Sequence, residues 1–176
     1  MSENRPTGGS PTATRATEVG PSIPTGDRPS ARRRLLVVAA IAAVVVAVDQ
    51  STKSLAQHYL RSGPVHVVGP LSLRLTYNSG VAFSIGQGHP AIVVGVAAGL
   101  VVLLLWVATR MAGTANTVAM GLLLGGALGN LSDRLFRPLG GAVVDFLSTG
   151  FWPTFNVADS CIVLGCALLV LGMLRR

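Results

Sequence analysis

Four stretches of this chain are apolar over most of a bilayer's depth, at about 35–55, 91–108, 118–135 and 157–174, and mixed stretches separate them. A helix rises about 1.5 Å per residue, so roughly 20 residues cross the hydrocarbon. The first run is unbroken from Leu35 to Val48. Asp49 and Lys53 then fall near the outer boundary, one helical turn apart, where an i,i+4 ion pair can end the span. Between 57 and 89 the long apolar run is lost. Leu71, Leu73 and Leu75 alternate with Ser72, Arg74 and Thr76, which is strand-like, and Gly69-Pro70 and Asn78-Ser79-Gly80 are turn signals. This region predicts a small sheet on the outer surface, with a short amphipathic helix after Gly80. In the third span Gly121, Gly125 and Gly129 recur every fourth residue, making a groove that a neighbouring backbone can approach closely.

Composition supports a polytopic membrane protein of one domain. Half of the 176 residues are hydrophobic, 12% are charged, and the mean hydropathy is +0.58, whereas soluble domains carry about a quarter charged residues. Residues 1–31 are rich in Pro, Gly, Ser and Thr, with almost nothing to bury, and predict a disordered cytoplasmic tail ahead of a membrane domain at 32–176. The net charge of +7 resides at helix ends rather than in one basic stripe, so it signals topology and not nucleic-acid binding. Arg32–Arg34, Arg110, Arg175 and Arg176 mark the inner side, which places both termini in the cytoplasm and the outer ends of all four spans at one level. Cys161 and Cys166 lie on different faces of a helix and predict neither a disulfide nor a metal pair. His58, His66 and His89 are scattered without metal-ligand spacing, and no cofactor is implied.

The chemistry gathers at 121–160, which holds Asp133, Asp145 and Asp159, three of the four carboxylates beyond the tail. Acidic groups near hydrocarbon are costly and are kept where they act or pair. Asp145 is the only charge in Val143-Val144-Asp145-Phe146-Leu147, and Asp159 opens the last span three residues after Asn156. Two carboxylates brought together in partly dehydrated surroundings push one pKa up, so that one holds a proton while the other activates water. The alternative is a structural polar network capping helix ends. An ion path would need acids spread through the bilayer depth, and a scaffold using the glycine groove would leave the two aspartates idle.

Five segments together resemble one family, bacterial lipoprotein signal peptidase (signal peptidase II). They are Asp49-Gln50-x-x-Lys53; Asn78-Ser79-Gly80-Val81-Ala82-Phe83-Ser84; Gly125-Gly126-x-x-Gly129-Asn130-x-x-Asp133-Arg134; Val143-Val144-Asp145-Phe146; and Phe155-Asn156-x-Ala158-Asp159-Ser160. The resemblance covers the chain from about residue 35 to its end; the tail and the glycine-rich link at Pro138–Gly141 depart from it. It implies an all-α polytopic fold of four transmembrane helices with a small extracytoplasmic β-cradle, at 57–89 here. It also implies an aspartic endopeptidase of the bacterial cell membrane, with its active site near the outer face. The implied substrates are diacylglyceryl-modified prolipoproteins, cut just before the lipid-modified cysteine, and the implied inhibitor is globomycin. By the same resemblance Asp145 and Asp159 are the catalytic pair, and Asn78, Asn130, Arg134 and Asn156 bind substrate. Asp49, Lys53, Gly80 and Asp133 are structural support, membrane lipids are the surroundings, and no metal or cofactor is needed.

Overall fold

The computed structural model describes residues 30–80 and 89–175. The expected tail lies outside these residues apart from its last two, and so does the amphipathic helix expected after Gly80. The order is α1 (Ala31–Tyr59), β1 (Val65–Val68), β2 (Leu71–Asn78), α2 (Pro90–Arg110), α3 (Thr114–Phe136), β3 (Val143–Ser148) and α4 (Val157–Leu174). Ser30 caps α1, its hydroxyl accepting from the Arg33 N–H at 3.3 Å. Pro90 starts α2, where its missing N–H costs nothing.

The glycine-rich helix is the centre of the bundle. Along α3, a Cβ at Gly121, Gly125 or Gly129 would come within 2.7, 2.6 and 2.7 Å of Ile41, Val45 and Asp49. Both sets step by four, so one stripe of α1 lies in the glycine groove along its length. Gly126 faces the other way, against the Ala158 carbonyl of α4. α2 closes a third side through Val101, which joins Met120, Leu124 and Ala127 of α3 in the main core.

Four spans were expected, but α1, α2 and α4 alone among the described helices are both long and apolar enough to cross a membrane by composition. The reason is that α3 is covered by its neighbours. Eleven of its residues are buried, so it needs small residues rather than a lipid-facing coat. Exposed positions on the others carry large apolar side chains, as at Val44, Val102 and Val163, which suits hydrocarbon and not water.

The sheet is antiparallel in the order β1-β2-β3. Its first two strands fall within 57–89 as the alternation predicts: Leu73 and Leu75 pack towards Ala56, Leu60 and Phe146 at the C-terminal end of α1, while Arg74 is exposed. The third strand differs from expectation. It comes from 143–148, between α3 and α4, and places Thr76 opposite Asp145. The sheet therefore ties the cradle to the segment that carries an aspartate.

Candidate active site

Two local devices set the aspartates. Asp159 belongs to a capping box: the Asn156 side chain accepts from the Asp159 N–H at 2.9 Å, and Asp159 Oδ2 accepts from the Asn156 N–H at 3.1 Å. The sequence placed these two residues on nearly one helical face; the structure makes them the N-cap and third residue of α4. Asp145 is held by β3 and is 2% exposed. Asn156 Nδ2 donates to Asp145 Oδ1 at 2.7 Å, and the Asn78 side chain donates to the same carboxyl group. Burial, and then the charge of Asp159, pushes the Asp145 pKa up from 3.8 to about 7.

Behind this pair is a buried ionic cluster. The Lys53 ammonium, fully buried, donates to Asp49 Oδ2 at 2.8 Å, Asp133 Oδ2 at 3.1 Å and Asn130 Oδ1 at 2.9 Å. Its three protons are thereby all used. Asp133 also takes Arg137 Nε at 2.9 Å and Gln50 Nε2 at 2.8 Å, so two cations balance two carboxylates. A buried charge needs such balance to be tolerated. The i,i+4 pair of Asp49 and Lys53 is thus present, and it is part of a larger set. Gln50, named in the first of the five segments, and Arg137 are members to which the sequence assigned no role; the i,i+4 spacing of Asp133 and Arg137 is the signal that could have found the second.

Asn130 joins the cluster to the aspartates. An ammonium can only donate, so the Asn130 carbonyl must face Lys53, which turns its Nδ2 to Asp159 Oδ1 at 2.8 Å. Arg134, one turn further along α3, donates from Nη1 to the Asn130 backbone carbonyl at 3.2 Å and from Nη2 to the Gly80 carbonyl at 2.8 Å. Its Nε–H is buried and finds no partner among the described residues. Gly80 is buried, and its N–H donates to Asn78 Oδ1 at 3.0 Å, closing the turn expected at Asn78-Ser79-Gly80.

Asn78, Asn130, Arg134, Asp145 and Asp159 all border one cleft of about 360 Å³, while Asn156 is buried behind it. Away from these polar groups the cleft runs between α2 and α4, past Leu100, Ile162 and Val163. Asp49, Lys53 and Asp133 are fully buried and do not line it. One polar end and one apolar end suit a substrate that is itself partly hydrocarbon.

Residues 41–175 match the family model described as signal peptidase (SPase) II. The chain belongs to the signal peptidase II family. It is 46% identical over 160 residues to the lipoprotein signal peptidase of Mycobacterium avium (strain 104), covering 85% of this chain and 87% of that one. It is 40% identical over 173 residues to the lipoprotein signal peptidase of Mycobacterium tuberculosis (strain ATCC 25618 / H37Rv), covering 96% and 85%. A bacterial membrane enzyme solved by the in meso method at 2.3 Å resolution is similar with a TM-score of 0.70 and 28% identity, covering 84% of this chain and 91% of that one. Signal peptidase II membership makes the chain a peptide-bond hydrolase of a bacterial membrane. The ion-conducting alternative has no support among these relatives.

Proposed function

We propose that this signal peptidase II is an aspartic endopeptidase that removes the signal peptide from diacylglyceryl-modified prolipoproteins, with Asp145 and Asp159 as its catalytic pair. The observation that carries the reading is the placement of the two carboxyl groups on one cleft, where the charge of Asp159 acts on Asp145. With a pKa of about 7, Asp145 is the member that holds the proton at mildly acidic pH. Both oxygens of Asp159 accept from N–H donors, which leaves it as an acceptor for a proton from water. In the reaction Asp159 takes that proton as water attacks the scissile carbonyl, and Asp145 donates to the carbonyl oxygen. The proton then on Asp159 goes to the leaving amine as the C–N bond breaks, and the intermediate's O–H returns a proton to Asp145 as the C=O re-forms.

Arg134 and the amides of Asn78, Asn130 and Asn156 surround this chemistry. An unwound substrate backbone near hydrocarbon needs partners for its polar groups, and the Arg134 Nε–H is one such donor. The apolar walls of the cleft, with Leu100 and Val163, suit acyl chains and the signal helix. Globomycin would occupy the same cleft. Incubating the purified protein with a diacylglyceryl-modified precursor should give a size-shifted product, and globomycin should suppress it. No shift from folded protein would refute the activity.

The same reading has α3 as a fourth span, both termini in the cytoplasm and the cleft opening outward. At 23 residues α3 is long enough to cross, and Arg110 and Arg175 lie at the ends opposite to the aspartates. A reporter that works only in the cytoplasm should be active when fused after residue 176. Activity there of an export-dependent reporter would overturn the arrangement.

A further inference from the structure

The buried cluster has a symmetry that charge balance alone does not require. Asp133 Oδ2, one of the two carboxylate oxygens on Lys53, also accepts the backbone N–H of Val144 at 3.0 Å. Asp49, through its other oxygen, accepts the backbone N–H of Ala158 at 3.0 Å. Val144 immediately precedes Asp145, and Ala158 immediately precedes Asp159. One ammonium thus bridges two carboxylates, and each carboxylate holds the backbone N–H of the residue before one aspartate. Its third proton, on Asn130, sets which end of that amide meets Asp159. All three routes start at a single atom on α1, and they end on β3 and α4. α1 itself brings no residue to the cleft.

We propose that Lys53 is the positioning residue of this enzyme, fixing Asp145 and Asp159 relative to one another through Asp133, Asp49 and Asn130 without touching the substrate. The proposal rests on the two aspartates being the catalytic pair. A salt bridge that only held the bundle together would, on loss of Lys53, cost stability but leave the kcat of the folded molecules unchanged. Loss of a positioning hub would lower it, because a pair sharing one water tolerates little change in separation. Misplacement of reacting groups by about 1 Å costs on the order of a hundredfold in rate.

Lys53→Met keeps the stem and removes the donor; Lys53→Arg keeps the charge but presents a flat fork in place of three tetrahedral donors. Both are expected to lower kcat about a hundredfold or more while KM changes by less than about threefold, in protein that is fully folded at the assay temperature by thermal unfolding. The pH profile adds a second readout, which loss of folded protein would not move. Asp145 faces Lys53 from α1, Arg134 from α3 and Asp159 from α4, with the Asn78 and Asn156 amides beside it. Removing the Lys53 charge takes away one of the attractions that favour ionised Asp145, so the upper limb of the rate profile should move to higher pH in Lys53→Met. Loss of folded protein alone would scale the profile without moving it.

If Lys53→Met does not fold, Gly129→Ala carries the test, since its new Cβ would press on Asp49 Oδ2 at 2.7 Å and leaves every charge in place. The same fall in kcat at steady KM is expected. Wild-type kcat in a folded Lys53 or Gly129 variant overturns the proposal, as does a loss that only follows the folded fraction. Cleavage by Asp145→Asn or Asp159→Asn would instead sink the catalytic pair, so the two failures are separable.

Discussion

Asp145→Asn and Asp159→Asn should each cut the cleavage rate by roughly a thousandfold or more, and the double variant should be little slower than either. In the proposed mechanism the two carboxyl groups act as one unit, so removing the second takes away what the first has already disabled. Asn keeps an acceptor for the Asn156 Nδ2–H at position 145, so the cavity should survive. In wild type, activity should fall as pH rises through about 7, where Asp145 gives up its proton. The inactive Asp145→Asn protein should also be the more stable one at alkaline pH. Because the Asp145 pKa rises from 3.8 to about 7 on folding, the folded state takes up a proton. Wild-type stability therefore declines as pH climbs from about 4 through 7, by on the order of 4 kcal/mol at most. The asparagine variant escapes that decline. Thermal unfolding in detergent at pH 8 and pH 4 should show its advantage at the first and none at the second. An equal shift at both would place its origin elsewhere.

Gly126→Leu should be the most damaging single change in the bundle. A Cβ at that position would come within 2.5 Å of the Ala158 carbonyl oxygen and 2.7 Å of Ile162 Cγ1. The first is backbone and cannot rotate away, so α3 and α4 must separate. Overpacking costs about 1–3 kcal/mol where side chains can adjust, and here the obstacle is a helix. The displaced residue also precedes Asp159, so function should fall with stability. Gly95→Ala is the matching control, because nothing lies within 4 Å of a Cβ there. Gly126→Leu is expected to lower the melting temperature sharply or to yield no folded protein, whereas Gly95→Ala should be near neutral. An unchanged melting temperature in Gly126→Leu would mean that the close contact of α3 with α4 is not required.

The parts of this fold that were legible in the sequence are those with a one-dimensional signature. Apolar runs located α1, α2, α3 and α4, and the leucine alternation located β2. β3 was not legible as a strand, because Val143, Val144, Asp145 and Phe146 are all buried. A strand covered on both faces shows no period of two. The carboxylates of the candidate site were legible because charge is rare in this chain, and Asn130, Asn156 and Arg134 because they accompany them in motifs. What no spacing could reveal is that Asp49 Oδ1 and Asp133 Oδ2 accept the amides of Ala158 and Val144. Those partners are backbone groups far away in sequence, and the amide of an alanine or valine carries no residue-type signal.

The central claim is a specific cut made by this dyad, and the masses of the products test it most directly. Purified wild-type protein in detergent is mixed with a diacylglyceryl-modified prolipoprotein and, separately, with the same precursor unmodified. The products are then measured by intact-mass spectrometry beside those from Asp145→Asn and Asp159→Asn. One new polypeptide beginning at the lipid-modified cysteine is expected, from the modified precursor and the wild-type protein alone. A product beginning at another residue, or the same product from either asparagine variant, would contradict it.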